Sequence, residues 1–419
     1  MGVTPTWWAL AALVALGIVL TVAAITLVPW RVPSPTRADR VAALGDLPAG
    51  VVTRGRALHA ALRPSSYGSL LVGLVVPLLL GLTPAGARIV VWVGQPFGGH
   101  WLAEALVGGL VILMMLWLVA LPFRAWRHTV LRDYGLSTQD WGGWAADLFR
   151  GCAVGAVIGA VVLGGFYTLT QLAPDWWWAF GAVGAAAAVV LLSFVFPVLV
   201  EPVFNKFTPM PAGPLRDELR TMAARDGMPV RDVLVADASR RTTGLNAYVS
   251  GLGRTRRIVV YDTLLREAPP GEVRSVVAHE LGHTKDRDAE LAALLGAIGA
   301  AAAVVALYLL GQWGALLRRA GVNSIGSPTA IGLVLAAVAV AGLVSGPAQN
   351  LVSRRVEARA DRHALRLTGD SAEFAAMQLR LAEVNITDVH PPRIEYLLFA
   401  THPDTVERLA AARRPSGSP

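Results

Sequence analysis

Residues 276–310 read VVAHELGHTKDRDAELAALLGAIGAAAAVVALYLL. A His-Glu-Leu-Gly-His core with a charged tail runs within a few residues into an apolar segment. The apolar part, 289–312, is long enough to cross the roughly 30 Å hydrocarbon core of a bilayer. The stretch therefore joins a polar helix of metal-binding type to a membrane span. The fold turns on how many such spans exist and which side the polar helix faces.

Of the 419 residues, 54% are hydrophobic and only 16% are charged, which points to an integral membrane protein rather than several soluble domains. Seven spans are predicted, at 6–28, 67–83, 101–123, 151–172, 177–200, 289–312 and 328–350. Tryptophans such as Trp7, Trp30, Trp101, Trp126, Trp176 and Trp313 fall near their ends, at headgroup level. Pro77 interrupts the second span. The single cysteine, Cys152, lies in an apolar run and offers no disulfide or Cys-based metal site. The net charge of +8 is carried almost wholly by arginine, with Lys206 and Lys285 the only lysines. These arginines crowd the ends of apolar segments, so they serve anchoring to the lipid bilayer, and no nucleic-acid partner is expected. The Ala, Gly, Val and Arg bias suits a high-GC bacterial genome.

The N-terminus lacks the basic region of a signal peptide, so the first span is read as retained. Segments 31–66 and 124–150 are rich in arginine, whereas 84–100 and 173–176 carry only Arg88 between them. The positive-inside rule then puts 31–66, 124–150, 201–288 and 351–419 in the cytoplasm, with the N-terminus outside a bacterial inner membrane. Arg318 and Arg319 are mild exceptions. The organisation expected is an N-terminal membrane region 1–200, a polar catalytic segment 201–288, two spans in 289–350 and a second polar segment 351–419. Both polar segments fall on one side and can build one site.

On a helix, His279 and His283 share a face and can point at one ion. Glu280 can then take a proton from water at that metal. A catalytic zinc needs a third protein ligand. The segment 350–363, NLVSRRVEARADRH, continues the last span and sets Glu357 and Asp361 on one face. Glu357 is the candidate third ligand, and Asp361 the candidate acceptor for a ligand histidine's spare N–H. His363 is read as a surface residue of this charged helix. Residues 246–265, NAYVSGLGRTRRIVVYDTLL, show two β-rich runs around Gly251-Leu252-Gly253, a hairpin signal placing an edge strand beside the metal helix.

Together, VVAHELGHTKDRD at 276–288, NLVSRRVEARAD at 350–361 and THPDTVER at 401–408 resemble the motifs of Ste24-type CAAX prenyl proteases, membrane zinc metallopeptidases of the M48 group. YGLSTQ at 134–139 and EPVFNKFTP at 201–209 also match, and the resemblance spans about 120–412. It implies a mainly α, polytopic fold of about seven transmembrane helices with a cytoplasm-facing, zincin-like domain containing a small β-hairpin or sheet. It further implies one Zn²⁺ per chain on His279, His283 and Glu357, with Glu280 as general base. Asp361 matches the family's acid four residues after the third ligand. His402 and Arg408 match the late segment thought to steady the oxyanion or substrate, and Asn246, Ala247 and Tyr248 the segment pairing with substrate backbone. The implied partner is a peptide or protein substrate, membrane-anchored or C-terminally lipidated.

Three other readings compete. An HtpX-type quality-control protease without prenyl specificity would have fewer spans. A site-2-type intramembrane protease would bury the motif in a span, but 265–288 is too polar for lipid depth. A scaffold with a vestigial metal site would be expected to have lost Glu280.

Overall fold

The computed structural model describes residues 4–199, 201–251 and 253–413. Among these residues seven helices are long and apolar enough to cross a membrane, in the seven places the apolar runs predict. They begin with α1 (Pro5–Leu27), α2 (Ala49–Gly81), α3 (Trp101–Asp133), α4 (Trp141–Leu172) and α5 (Trp177–Leu199). A polar region follows, with β1 (Phe207–Pro209), α6 (Pro214–Arg225), β2 (Asp232–Ala236), β3 (Ala247–Ser250) and β4 (Arg257–Tyr261). Next come α7 (Pro270–Lys285) and the spans α8 (Asp288–Leu310) and α9 (Ile331–Thr368). The chain closes with α10 (Ser371–Val384), α11 (Arg393–Phe399) and α12 (Thr405–Ala412). Val200, the last residue of the fifth predicted span, and Leu252, in the hairpin tip, lie outside the described residues.

The spans are apolar around most of their circumference, and residues such as Val14, Ile18, Val157 and Val161 stay exposed, as faces turned to lipid do. Helix α8 packs against α1 and α5, α2 against α3, and α9 against both α2 and α7. The α2–α9 crossing is backbone on backbone. A Cβ on Gly332 would stand 2.6 Å from the Leu80 carbonyl oxygen, and one on Gly81 would stand 2.5 Å from that of Gly332. Only glycine allows this approach.

The helices overrun the predicted spans. Helix α2 starts at Ala49 and continues unbroken through Pro64 and Pro77, so Pro77 does not interrupt it. Membrane helices tolerate proline because neighbouring elements satisfy the freed backbone groups. The arginine-rich segments 31–66 and 124–150 are largely helical extensions rather than loops. At 38 residues, α9 extends about 57 Å at 1.5 Å per residue. Its far half therefore projects from the bilayer and carries 350–363 to α7.

The sheet has the order β1-β2-β4-β3, with β2 and β4 parallel and the outer pairs antiparallel. The predicted hairpin is the β3–β4 pair, in the register Ala247 to Val260 and Ser250 to Arg257. Gly251 (φ 87°) turns the chain between them, and a Cβ there would meet the Thr255 carbonyl at 2.6 Å. Leu219, Val233, Ile258, Val260, Val273, Val277 and Phe374 lock the sheet to α6, α7 and α10. Each such side chain contributes about 1.5–3 kcal/mol on burial, which makes α7 the rigid element on which a site can be built.

Candidate metal centre

Helix α7 starts at Pro270, where a missing N–H costs nothing. Glu272 in its first turn complements the helix dipole and binds Arg380 through both carboxylate oxygens. Val273, Val277, Ala278 and Leu281 face the hydrophobic core. The adjoining face, with His279 and His283, meets α9. Gly282 permits that contact, since a Cβ there would lie 3.0 Å from the His363 Cβ. After Asp286 the chain reverses at Arg287, whose φ of 56° is left-handed, and starts α8 at Asp288.

The ligand atoms of His279, His283 and Glu357 all lie within 4.8 Å of one another. The two histidine Nε2 atoms are 3.2 Å apart. Glu357 Oε2 stands 3.2 Å from His279 Nε2, and Oε1 stands 3.5 Å from His283 Nε2. Glu357 Oε2 is buried, and its nearest polar neighbour is His279 Nε2 at 3.2 Å, in poor hydrogen-bond geometry. Such an atom is costly unless it holds a cation. Two imidazole nitrogens aimed at one point beside a carboxylate form the donor set of a catalytic zinc site, so these residues fit the metal.

Each histidine is also steered from behind. Nδ1 of His279 lies 2.9 Å from Asp361 Oδ1, and Nδ1 of His283 lies 2.8 Å from Asp288 Oδ2. Both carboxylates are in turn held by arginines. Arg408 reaches Asp361 through Nε at 2.9 Å and Nη2 at 2.5 Å. Arg359 binds Asp288 and also Asp286 at 2.9 Å. Burial opposes a charge on His279, but Asp361 and Glu357 outweigh it and raise the imidazole pKa to about 10 in the metal-free site. Burial likewise pushes the Glu280 carboxyl above its usual range.

His279 and Glu280 border a cavity of about 690 Å³, which His402 and Arg408 also line. Its far wall is the extension of α2, including His59, Arg63 and Tyr67. His402 Nε2 lies 3.3 Å from Glu357 Oε1, while its Nδ1 meets Thr401 Oγ1 at 2.8 Å. The loop carrying His402 is fastened to α9. Arg354 donates to the carbonyls of Tyr396 (3.1 Å) and Ala400 (2.6 Å) and stacks on the Tyr396 ring. Asn350 donates to the Leu398 carbonyl at 2.8 Å.

Strand β3 is an edge of the sheet. The Asn246 carbonyl accepts from Tyr261 N–H at 3.0 Å, so the antiparallel alternation turns the backbone groups of Ala247 and Val249 outward. Asn246 Oδ1 accepts from the Ala247 N–H at 2.9 Å, which leaves the Ala247 carbonyl facing the open edge. Ala247 buries its side chain in the core, whereas Asn246 lines the cavity.

The structure thus gathers His279, Glu280, His283, Glu357, Asp361, His402, Arg408 and Asn246 around one cavity or directly behind it. Tyr248 sits farther along β3, its ring edge-on to Tyr261. His363 departs from expectation. It is buried, not on the surface, with Nε2 2.9 Å from Asp226 Oδ2, and Lys285 bonds the other oxygen of Asp226. Asp288, Asn350, Arg354 and Arg359 are the residues that sequence reasoning left without a role. All four stand inside or beside the quoted motifs, but the partners of Asp288 depend on the turn at Arg287, which no Gly or Pro announces.

Comparison with known proteins agrees with this architecture. The family model described as Peptidase family M48 matches residues 209–416. A second, described as CAAX prenyl protease N-terminal, five membrane helices, matches 65–206. The CAAX prenyl protease 1 homolog of Oryza sativa subsp. japonica is 30% identical over 316 residues, covering 71% of this chain and 71% of the relative. The Uncharacterized metalloprotease YhfN of Bacillus subtilis is 26% identical over 311 residues, covering 74% and 73%. The crystal structure of S. mikatae Ste24p superposes with a TM-score of 0.79 over 98% of both chains at 21% identity, a likeness of fold.

Proposed function

The chain belongs to peptidase family M48 as a Ste24-type membrane metalloprotease, and from that premise we propose that it is a zinc endopeptidase cutting peptides at the cytoplasmic membrane face. His279, His283 and Glu357 would hold one Zn²⁺. The observation that carries this reading is the convergence of three donors from two helices beside Glu280, on the wall of one cavity. A zinc ion held there would supply a Lewis acid for activating water and polarising a carbonyl.

Glu280 takes the proton of the attacking water and delivers it to the leaving amine. His402 donates a hydrogen bond to the developing oxyanion. Asp361 and Asp288 fix the tautomer of His279 and His283 by accepting from Nδ1, and Arg408 works through Asp361. The substrate lies antiparallel along β3 as an added strand. Its N–H donates to the Ala247 carbonyl, and the Asn246 side-chain amide donates to a substrate carbonyl.

Segments 201–288 and 351–419 act as one catalytic unit, carried by α8 and α9. The arginine-rich ends of α2, α3 and α4 support an orientation in which this unit is cytoplasmic, in a bacterial inner membrane. A substrate anchored in the same bilayer, through a span or a lipid, suits a cavity walled by the α2 extension. Purified protein in liposomes should contain about one zinc per chain and cleave a peptide reporter. Chelation should abolish cleavage and zinc should restore it. His283→Ala should lose metal and activity together. Cleavage by metal-stripped protein would overturn the reading.

A further inference from the structure

Helix α10 turns one side toward the metal cavity. Met377, Gln378, Leu381 and Ala382, at i, i+1, i+4 and i+5, belong to the cavity wall, as does the C-cap residue Asn385. Val276 lies in the same wall, one helical turn before Glu280 on α7. Helices α7 and α10 pack against each other, and Val276, Met377, Leu245 and Leu381 share one hydrophobic cluster. Beside the Glu280 carboxylate, this part of the cavity is therefore apolar.

Gln378 is the exception within it. The residue is 2% exposed, and its Nε2 has no hydrogen-bond partner among the described residues. A buried amide left without an acceptor costs more than a satisfied one gains. An apolar side chain of similar length would fill the same space without that cost. A polar group kept there, on the wall of a substrate cavity, marks an acceptor that arrives with the substrate.

The direction of β3 shows which part of the substrate arrives. A peptide antiparallel to β3 runs from beside Ser250 toward Asn246, and its C-terminal side leaves past Leu245. Asn385 accepts from the Leu245 N–H at 2.8 Å and donates to the Leu245 carbonyl at 3.3 Å. The end of α10 is thereby fixed where the C-terminal half of the substrate leaves the strand. The substrate backbone is served by Ala247 and Asn246, so what reaches α10 is a side chain.

We propose that Val276, Met377, Leu381 and Gln378 receive the side chain immediately C-terminal to the scissile bond, and that Gln378 makes this pocket select an uncharged amide, glutamine above leucine. The apolar walls take the methylene stem, and the Gln378 N–H donates to the amide carbonyl at its end. Glu280 beside the pocket disfavours a carboxylate there, while lysine and arginine bring no acceptor. The pocket rests on the peptidase reading for its substrate. A site built to hydrogen-bond one side chain rejects the analogue that lacks the partner, because its own buried group is then left unpaired.

The test uses zinc-loaded full-length protein in nanodiscs and two peptide hydroxamates. The hydroxamate binds the metal and fixes the register, and the side chain that follows is that of glutamine in one compound and leucine in the other. Wild-type protein should bind the glutamine compound about tenfold more tightly. In Gln378→Leu protein the ratio should fall to about one or below, with zinc content unchanged and no drop in melting temperature. A merely structural Gln378 would instead lower the melting temperature and leave the ratio alone. Equal binding of the two compounds by wild-type protein would overturn the pocket, as would a preference that survives the substitution. In digests of a mixed peptide library, wild-type protein should enrich glutamine just after the cut bond and Gln378→Leu protein should not. Leucine enriched at that place by both proteins would equally overturn it. A binding preference that depends on Gln378, without cleavage of any peptide, would uphold the pocket and sink the peptidase reading instead.

Discussion

Asp361→Asn keeps the shape of the side chain behind His279 but removes the charge that joins it to Arg408. The Asp361 and Arg408 side chains are only 3% and 13% exposed. Breaking a pair so placed costs about 3–5 kcal/mol, because one charge is left buried and unpaired. An exposed pair such as Arg274–Glu218 would cost about 1 kcal/mol or less. Loss of a carboxylate partner also weakens a ligand histidine, by about 10–100-fold in metal affinity. Chelator competition on purified protein measures the second quantity, and thermal unfolding in detergent the first. Arg408→Gln should move both readings in the same direction. The double variant should be milder than the sum, since no orphan charge remains. If Arg408→Gln kept zinc affinity and stability while abolishing cleavage, Arg408 would act on the substrate and not through Asp361. Strict additivity would refute the coupling outright.

Three further outcomes follow from the same geometry. In metal-free protein His279 has its pKa raised from 6.5 to about 10, so its proton stabilises the fold fully below about pH 6.5, and that contribution is lost as pH rises through 10. Metal-free protein should therefore lose thermal stability between pH 7 and 10, and zinc binding near pH 8 should release about one proton into weakly buffered solution. Arg354→Leu removes the donors to Tyr396 and Ala400 that fasten the His402 loop. It should lower kcat/KM about tenfold or more with zinc retained. Gly332→Ala puts a methyl 2.6 Å from the Leu80 carbonyl oxygen and should destabilise the α2–α9 contact by about 1–3 kcal/mol, read as a lower melting temperature in detergent.

What was legible in the sequence was whatever has a period or a spacing. Apolar length gave the seven spans, i and i+4 spacing gave the His279–His283 face, and β-rich runs around Gly251 gave the β3–β4 hairpin. Span ends were less legible, because a helix leaving the bilayer exchanges apolar for polar residues without breaking. That is why 31–66 and 124–150 read as loops. His363 read as surface because its sequence neighbours are arginines. Its burial comes from Asp226, 137 residues earlier, which no local pattern reveals. Asp288 was hidden behind the turn at Arg287. Arg124, Arg127 and His128 have the pattern of span-end anchors, and only the fold brings them together with Trp144 and residues of the 241–246 segment around one cavity.

The central claim is that Glu280 does the proton chemistry at a metal held by other residues. Zinc content and peptide cleavage measured side by side on wild-type and Glu280→Ala protein test it most directly. Both proteins should hold about one zinc per chain, with cleavage by the variant lower by about two to four orders of magnitude. Near-wild-type cleavage by zinc-loaded Glu280→Ala protein would contradict it.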